Sequence, residues 1–191
     1  MAKVRKSSFR VLIRRTFLAK CAISLSIRAA KLGHIETLKW IRSKNYIWNE
    51  EVCAAAAKSG HSSLLLWLHE NDCPWNENTF ANAVKNGCLD TLKWLRTTDC
   101  PMDEDCFIYA AKNGDMAILE WLKSEKCPWS EDAYIEAIGN MDILAWLNKN
   151  GCPWSDRVSL IAARREQWKT LQWLEANGCP MHTNIEMNSS Q

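Results

Sequence analysis

Cysteine is the residue type whose spacing most invites chemistry in this chain. Five of the nine cysteines are followed by proline, as Cys73-Pro74, Cys100-Pro101, Cys127-Pro128, Cys152-Pro153 and Cys179-Pro180, and these use every proline present. Such a row could bind zinc, ligate haem or pair as disulfides. A zinc ion needs four ligands within about 2.0–2.3 Å. Successive members of this row are 27 or 25 residues apart, and no Cys-x-x-Cys occurs. On stacked helices, neighbours one layer apart are separated by about 8–10 Å. The odd total and the fixed position also argue against a disulfide framework. The row reads as reduced, buried, small apolar side chains, and no metal or cofactor is expected.

The four histidines add no catalytic set. His34 and His61 are one period apart, while His69 and His182 have no evident partner. No catalytic residue is assigned, and neither an enzyme nor a small-molecule substrate is expected. The eleven tryptophans could form a ligand-stacking row. Each buried Trp, however, covers about 150–250 Å², on the order of 4–6 kcal/mol at 25 cal/mol/Å². A short repeat needs such side chains to fill the space between neighbours, so the tryptophans are expected in the core. The last row is cationic: Lys31, Lys58, Lys85, Lys112 and Arg164, with Ser59, Asn86, Asn113 and Arg165 at the following position. A cation in a helix's last turn offsets the dipole by about 0.3–1 kcal/mol. That explains one cation per helix but not a fixed position. A line of charges about 10 Å apart would also meet an acidic segment laid along it. From the residues alone both readings stand.

The elements that carry these rows repeat. Trp recurs at 40, 67, 94, 121, 146 and 173, in steps of 27, 27, 27, 25 and 27, each time followed by Leu or Ile. A fixed period of this size marks a repeat array. The units run over 24–50, 51–77, 78–104, 105–131, 132–156 and 157–181, with a basic segment at 1–23 and a polar tail at 182–191. In the third unit, Asn76 is an N-cap and Glu77 opens the first turn, where the dipole favours an anion. Helix A spans Thr79 to Asn86, with Ala83-Val84 as a closely packed pair, and Gly87 ends it. Helix B spans Leu89 to Thr97; Leu92 and Leu95 face inward and Trp94 flanks them. Cys100-Pro101 stops the unit, because proline cannot continue a helix. No strand alternation occurs. The fifth unit is two residues short, so its turn must be tighter or its helix shorter, and it is expected to stack poorly on both neighbours. The sixth has Arg164-Arg165-Glu166 where a glycine is expected.

Charge is uneven. Residues 1–35 hold nine Lys or Arg and no acid; the rest holds 15 bases against 22 acids, a net −7. Residues 1–20 carry Phe9, Leu12, Ile13, Phe17 and Leu18 between cations at helical spacing. This suits either an organellar or membrane-surface segment or a helix capping the array. Ile13 lies one period before Trp40, which favours the cap, with Phe9, Ile13 and Phe17 covering Leu25 and Leu38. No apolar run reaches the roughly 18–20 residues of a membrane span, and no secretory leader is expected.

Ala29-Ala30-Lys31-Leu32-Gly33-His34-Ile35-Glu36-Thr37-Leu38-Lys39-Trp40-Ile41 resembles the core of the ankyrin repeat, and the likeness recurs six times over about residues 24–181. Asn150-Gly151-Cys152-Pro153-Trp154 is similar to the family's Ala-Gly-Ala-Asp-Val stretch, with Cys152 in the small-residue place. The family's Thr-Pro-Leu-His is missing. The shorter period removes residues where ankyrin repeats build a protruding β-hairpin. The chain thus looks like a hairpin-less subtype similar to arrays common in large DNA viruses and some protists. The resemblance implies an all-α solenoid of about six helix-turn-helix repeats with an N-terminal capping helix. It also implies that the Lys and following positions line a concave groove that varies with the partner.

The expected function is a non-catalytic module binding a partner protein, and the basic row points to an acidic segment as ligand. A monomer is expected, in the cytoplasm, or the host cytoplasm for a viral source. The alternative is nucleic-acid or membrane-surface binding through the N-terminal segment and the Lys row. The net −7 of the remaining chain argues against nucleic acid for the whole body.

Overall fold

A computed structural model describes residues 20–183, and helix is the only regular structure among them. The chain divides into two compact units after Pro101. The first unit contains α1 (residues 20–31), α2 (Ile35–Ser43), α3 (Glu50–Lys58), α4 (Ser62–Glu70), α5 (Glu77–Asn86) and α6 (Leu89–Thr97). The second contains α7 (Asp105–Asn113), α8 (Met116–Ser124), α9 (Asp132–Ala137), α10 (Met141–Lys149), α11 (Asp156–Arg164) and α12 (Trp168–Ala176).

Left-handed residues close every turn between these helices. After the odd-numbered helices they are Gly33, Gly60, Gly87, Gly114, Gly139 and Glu166; after the even-numbered ones, Asn45, Asp72, Asp99, Lys126, Gly151 and Gly178. Both series step by 27, 27, 27, 25 and 27 residues, as the tryptophans do. At Gly87, φ is 80° and the N–H reaches the Ala83 and Val84 carbonyls at 3.2 and 3.0 Å. This geometry turns the chain out of α5, and only glycine adopts it without steric cost. The sixth turn does it with Glu166, at φ 55°.

The even-numbered helices supply the large core residues. Leu38, Ile41, Leu65, Leu68, Leu92, Leu95, Leu119, Leu122, Leu144, Leu147, Leu171 and Leu174 are at most 1% exposed. Each contributes about 1.5–3 kcal/mol by leaving water. The odd-numbered helices supply small ones, including Ala29-Ala30, Ala56-Ala57, Ala83-Val84 and Ala110-Ala111, all buried. Small side chains let helix axes approach. Accordingly α3 packs chiefly on α5, α7 on α9, and α9 also on α11.

Two expectations need correction, and one left between two alternatives is decided. Asn76 does sit at the N-cap of α5 with extended backbone, but its side chain makes no capping bond and its Oδ1 is buried without a partner. The tryptophans are mostly not core. Trp48 is buried, Trp40 and Trp168 are 54% and 50% exposed, and the others are half-buried. They stand on helix flanks and in the loops before the odd-numbered helices, where they pack edge to face: Trp48 on Trp67 at 5.7 Å, Trp75 on Trp94 at 5.9 Å, Trp154 on Trp173 at 6.3 Å. In the fifth unit it is the helix that is shorter. The six residues of α9 end at Ala137, so of Ala137 and Ile138, which stand where the other units have their close-packed pair, Ala137 is buried and Ile138 is half-buried outside the helix.

The expected cap by Phe9, Ile13 and Phe17, and most of the polar tail, lie outside the described residues. Of the two residues they were to cover, Leu25 is 44% exposed and Leu38 is fully buried.

Candidate interaction surface

The basic row lies at the C-terminal ends of the odd-numbered helices. Lys31 ends α1, Lys58 and its C-cap Ser59 end α3, Lys85 and Asn86 end α5, Lys112 and Asn113 end α7, and Arg164 with its C-cap Arg165 ends α11. All are exposed except Lys85, which is half-buried. The two units then treat the row differently.

In the first unit, Lys31 and Lys58 face an open cleft of about 370 Å³. Its floor is Ile27, Ala54 and Ala55. Glu50 and Glu51, from the start of α3, and Asn76, Asn78 and Asn82 complete its walls. Acids gather at one end and cations at the other because α3 carries Glu50 and Glu51 in its first turn and Lys58 in its last. That arrangement suits the helix dipole at both termini. A second cleft, of about 530 Å³, continues past Lys31 toward Lys20, Arg28, Ile23 and Ser24. Neither lysine has an ion-pair partner among the described residues. Asn86 packs over Gly60, where an added Cβ would meet its amide nitrogen at 2.7 Å.

In the second unit the row is met by a carboxylate of the chain itself. Glu136, on α9, accepts from Lys112 Nζ at 2.8 Å and lies 3.7 Å from Arg165 Nη2. Arg165 Nη1 also donates to the Ile135 carbonyl at 2.7 Å, one of the oxygens that the early end of α9 leaves unpaired. The hydrogen bond from Lys112, opposed by partial burial and helped by Arg165, holds the Glu136 carboxyl below its usual range. A second cluster joins Arg157 to Glu131 at 3.2 Å and to Asp132 at 2.6 Å. Ser155 hydrogen-bonds the same Glu131 and is the main cause that lowers its pKa.

The cysteine row does more than fill space. Each thiol points at a carbonyl beside the start of the preceding odd-numbered helix: Cys73 to Asn49 at 3.8 Å, Cys100 to Asn76 at 3.7 Å, Cys127 to Asp103 at 3.3 Å, Cys152 to Ser130 at 3.4 Å and Cys179 to Ser155 at 3.6 Å. The row thus ties each Cys-Pro loop to a helix start through weak S–H donors. Burial pushes Cys100 and Cys152 up to about 12 and Cys179 up to about 11, so these thiols stay protonated. All nine cysteines are free. Cys88 differs: it is half-buried at the N-cap of α6, where the Thr91 hydroxyl donates to it at 3.2 Å and lowers its pKa.

The remaining sequence candidates have structural surroundings. His61 is the N-cap residue of α4, and its Nε2 lies 3.1 Å from the Lys31 carbonyl at the end of α1. His69 stacks on Trp75 at 4.1 Å. Among the described residues no three His, Cys, Asp or Glu side chains converge as a metal site would need, and no helix is long and apolar enough to cross a membrane. Compared with protein-family models and with curated proteins, the chain matches none.

Proposed function

We propose that the chain is a non-catalytic interaction module. Its helix pairs are ankyrin-like repeats stacked as a solenoid, and the odd-numbered helices present a face to a partner protein. The observation that carries this reading is the first-unit cleft: an open, unpaired cationic edge over a floor of alanines, built from regularly repeating helices. Repeat arrays of this kind offer extended surfaces rather than enclosed pockets. The partner contacts are Lys31, Lys58 and Ser59, with Lys85 and Asn86 beside them. Lys112, Asn113, Arg164 and Arg165 contribute less, because Lys112 and Arg165 are already satisfied by Glu136 and Ile135.

The test uses the full chain as bait, followed by crosslinking of the recovered complex. Crosslinks should fall on Lys31 and Lys58. Lys31→Glu combined with Lys58→Glu should weaken that complex tenfold or more, about 1.4 kcal/mol. A partner that crosslinks only through the even-numbered helices would sink the reading. Recovery of nucleic acid or lipid in place of protein would favour the alternative.

A further inference from the structure

Both units place a lysine of the preceding odd-numbered helix beside the residue before a close-packed pair, unpaired in the first and met by a carboxylate in the second, and the second shows what the first accepts. Three periods separate Lys31 from Lys112 and Ala55 from Glu136. In the second unit the carboxylate of Glu136 projects from the residue before the close-packed pair and binds the lysine of the preceding odd-numbered helix at 2.8 Å. In the first unit that residue is Ala55, and the space a glutamate would fill is part of the cleft between Lys31 and Lys58. We infer that this position is a carboxylate subsite: a Glu or Asp side chain from an acidic segment of a partner protein sits over Ala55 and pairs with Lys31 and Lys58.

This rests on the interaction-module reading and names the chemistry of its ligand. The charges around the cleft narrow it further. Lys20, Arg28, Lys31 and Lys58 line the two connected clefts against Glu50 and Glu51, so cations predominate and an anionic group is drawn in. Glu50 and Glu51 lie at the opposite end of α3, roughly 12 Å from Lys58 at 1.5 Å per residue. They repel a ligand that is anionic on all sides. A phosphate backbone presents charge in every direction and is disfavoured. A peptide segment can turn carboxylates toward the lysines and amide groups toward Glu50, Glu51 and the asparagines.

The probe is a fluorescein-labelled peptide of glutamate interspersed with asparagine and glycine, beside its glutamine counterpart, titrated by anisotropy against the full chain. The glutamate peptide should bind at least tenfold more tightly, and its affinity should fall as salt rises. Ala55→Glu supplies the carboxylate internally and should abolish binding. Lys31→Gln with Lys58→Gln should do the same; both side chains are exposed, so this variant decides the matter if Ala55→Glu does not fold. Glu136→Ala should add a second binding equivalent by freeing Lys112. Equal affinity for the two peptides, or unchanged affinity in the lysine variant, would overturn the subsite. So would tighter binding of duplex DNA or anionic vesicles that the lysine variant abolishes. A recovered partner protein that ignores both variants would remove the subsite while leaving the module reading in place.

Discussion

The two halves of the chain are built from the same helix pairs, yet their surfaces are finished differently. In the first, Lys31 and Lys58 stand unpaired beside an alanine floor. In the second, Glu136 gathers Lys112 and Arg165, and Arg165 covers the carbonyl left by a shortened α9. The two sequence irregularities, a fifth unit that is too short and a sixth with Arg165 near the missing glycine, turn out to be complementary. The short helix exposes an oxygen, and the arginine one unit later supplies the donor. The expectation that the fifth unit stacks poorly on its neighbours leaves out this brace. The same kind of charged row is left unpaired where nothing in the chain answers it, and becomes a structural clamp where something does.

The largest effect should come from the feature that the halves share. Phe80, in α5, and Phe107, in α7, occupy equivalent positions and are both fully buried. Phe107 also meets Trp129 at 5.1 Å. Phe80→Ala and Phe107→Ala should each cost about 3–5 kcal/mol in chemical denaturation, through lost burial and a residual cavity. Similar losses would show that the halves differ in surface alone. A loss below about 1 kcal/mol in either would mean that its core is not the close-packed one described here.

The second effect separates them. Arg165→Ala should destabilise by about 1 kcal/mol, the scale of a partly exposed ion pair with a hydrogen bond to backbone. Lys58→Ala, with no partner to lose, should stay within about 0.5 kcal/mol of wild type. The Arg165 effect should depend on pH. Because the Glu136 carboxyl is held below its usual value in the folded chain, its contribution is present above about pH 4.3. It fades as the pH falls through the lowered value, where both states are protonated. The gap between wild type and Arg165→Ala should thus narrow on acidification. A gap that stays constant from neutral pH to about pH 3 would mean that the carbonyl bond alone does the bracing.

Much of this fold is legible in the sequence. Period and glycine mark every helix pair, proline marks the end of five of the six, and α6 spans the predicted Leu89–Thr97. The inward Leu92 and Leu95 follow from helical spacing. Three things were not legible in a single unit. Residues at or just before the starts of the odd-numbered helices accept through their carbonyls from thiols some two dozen residues later, a contact that needs the folded pair. The tryptophans look like core by size, but the even-numbered helices bury one face only, so their flank rings find each other instead. Glu136 could have been noticed. Read down the column before the close-packed pair, the chain has Arg28, Ala55, Asn82, Tyr109, Glu136 and Ile161, and only one is an acid. That acid sits beside a cation row, but whether it reaches one depends on how closely α7 and α9 approach.

The smallest effect concerns the turn that closes the braced region. Five of the turns after odd-numbered helices use glycine at φ between 70° and 96°, and the sixth uses Glu166 at φ 55°. A glutamate in left-handed backbone carries steric strain from its Cβ. Glycine would relieve it, at the cost of more freedom in the unfolded chain. At a left-handed position the first term wins, so Glu166→Gly should stabilise the chain by about 0.5–1 kcal/mol. The exposed side chain has no ion pair among the described residues to lose. The reverse change, Gly87→Ala at φ 80°, should destabilise by a similar amount or more. Thermal melts of the two variants should move in opposite directions. If Glu166→Gly instead lowers stability, the turn depends on a rigidity that only a side chain provides, and Arg165 beside it needs that rigidity to reach Ile135.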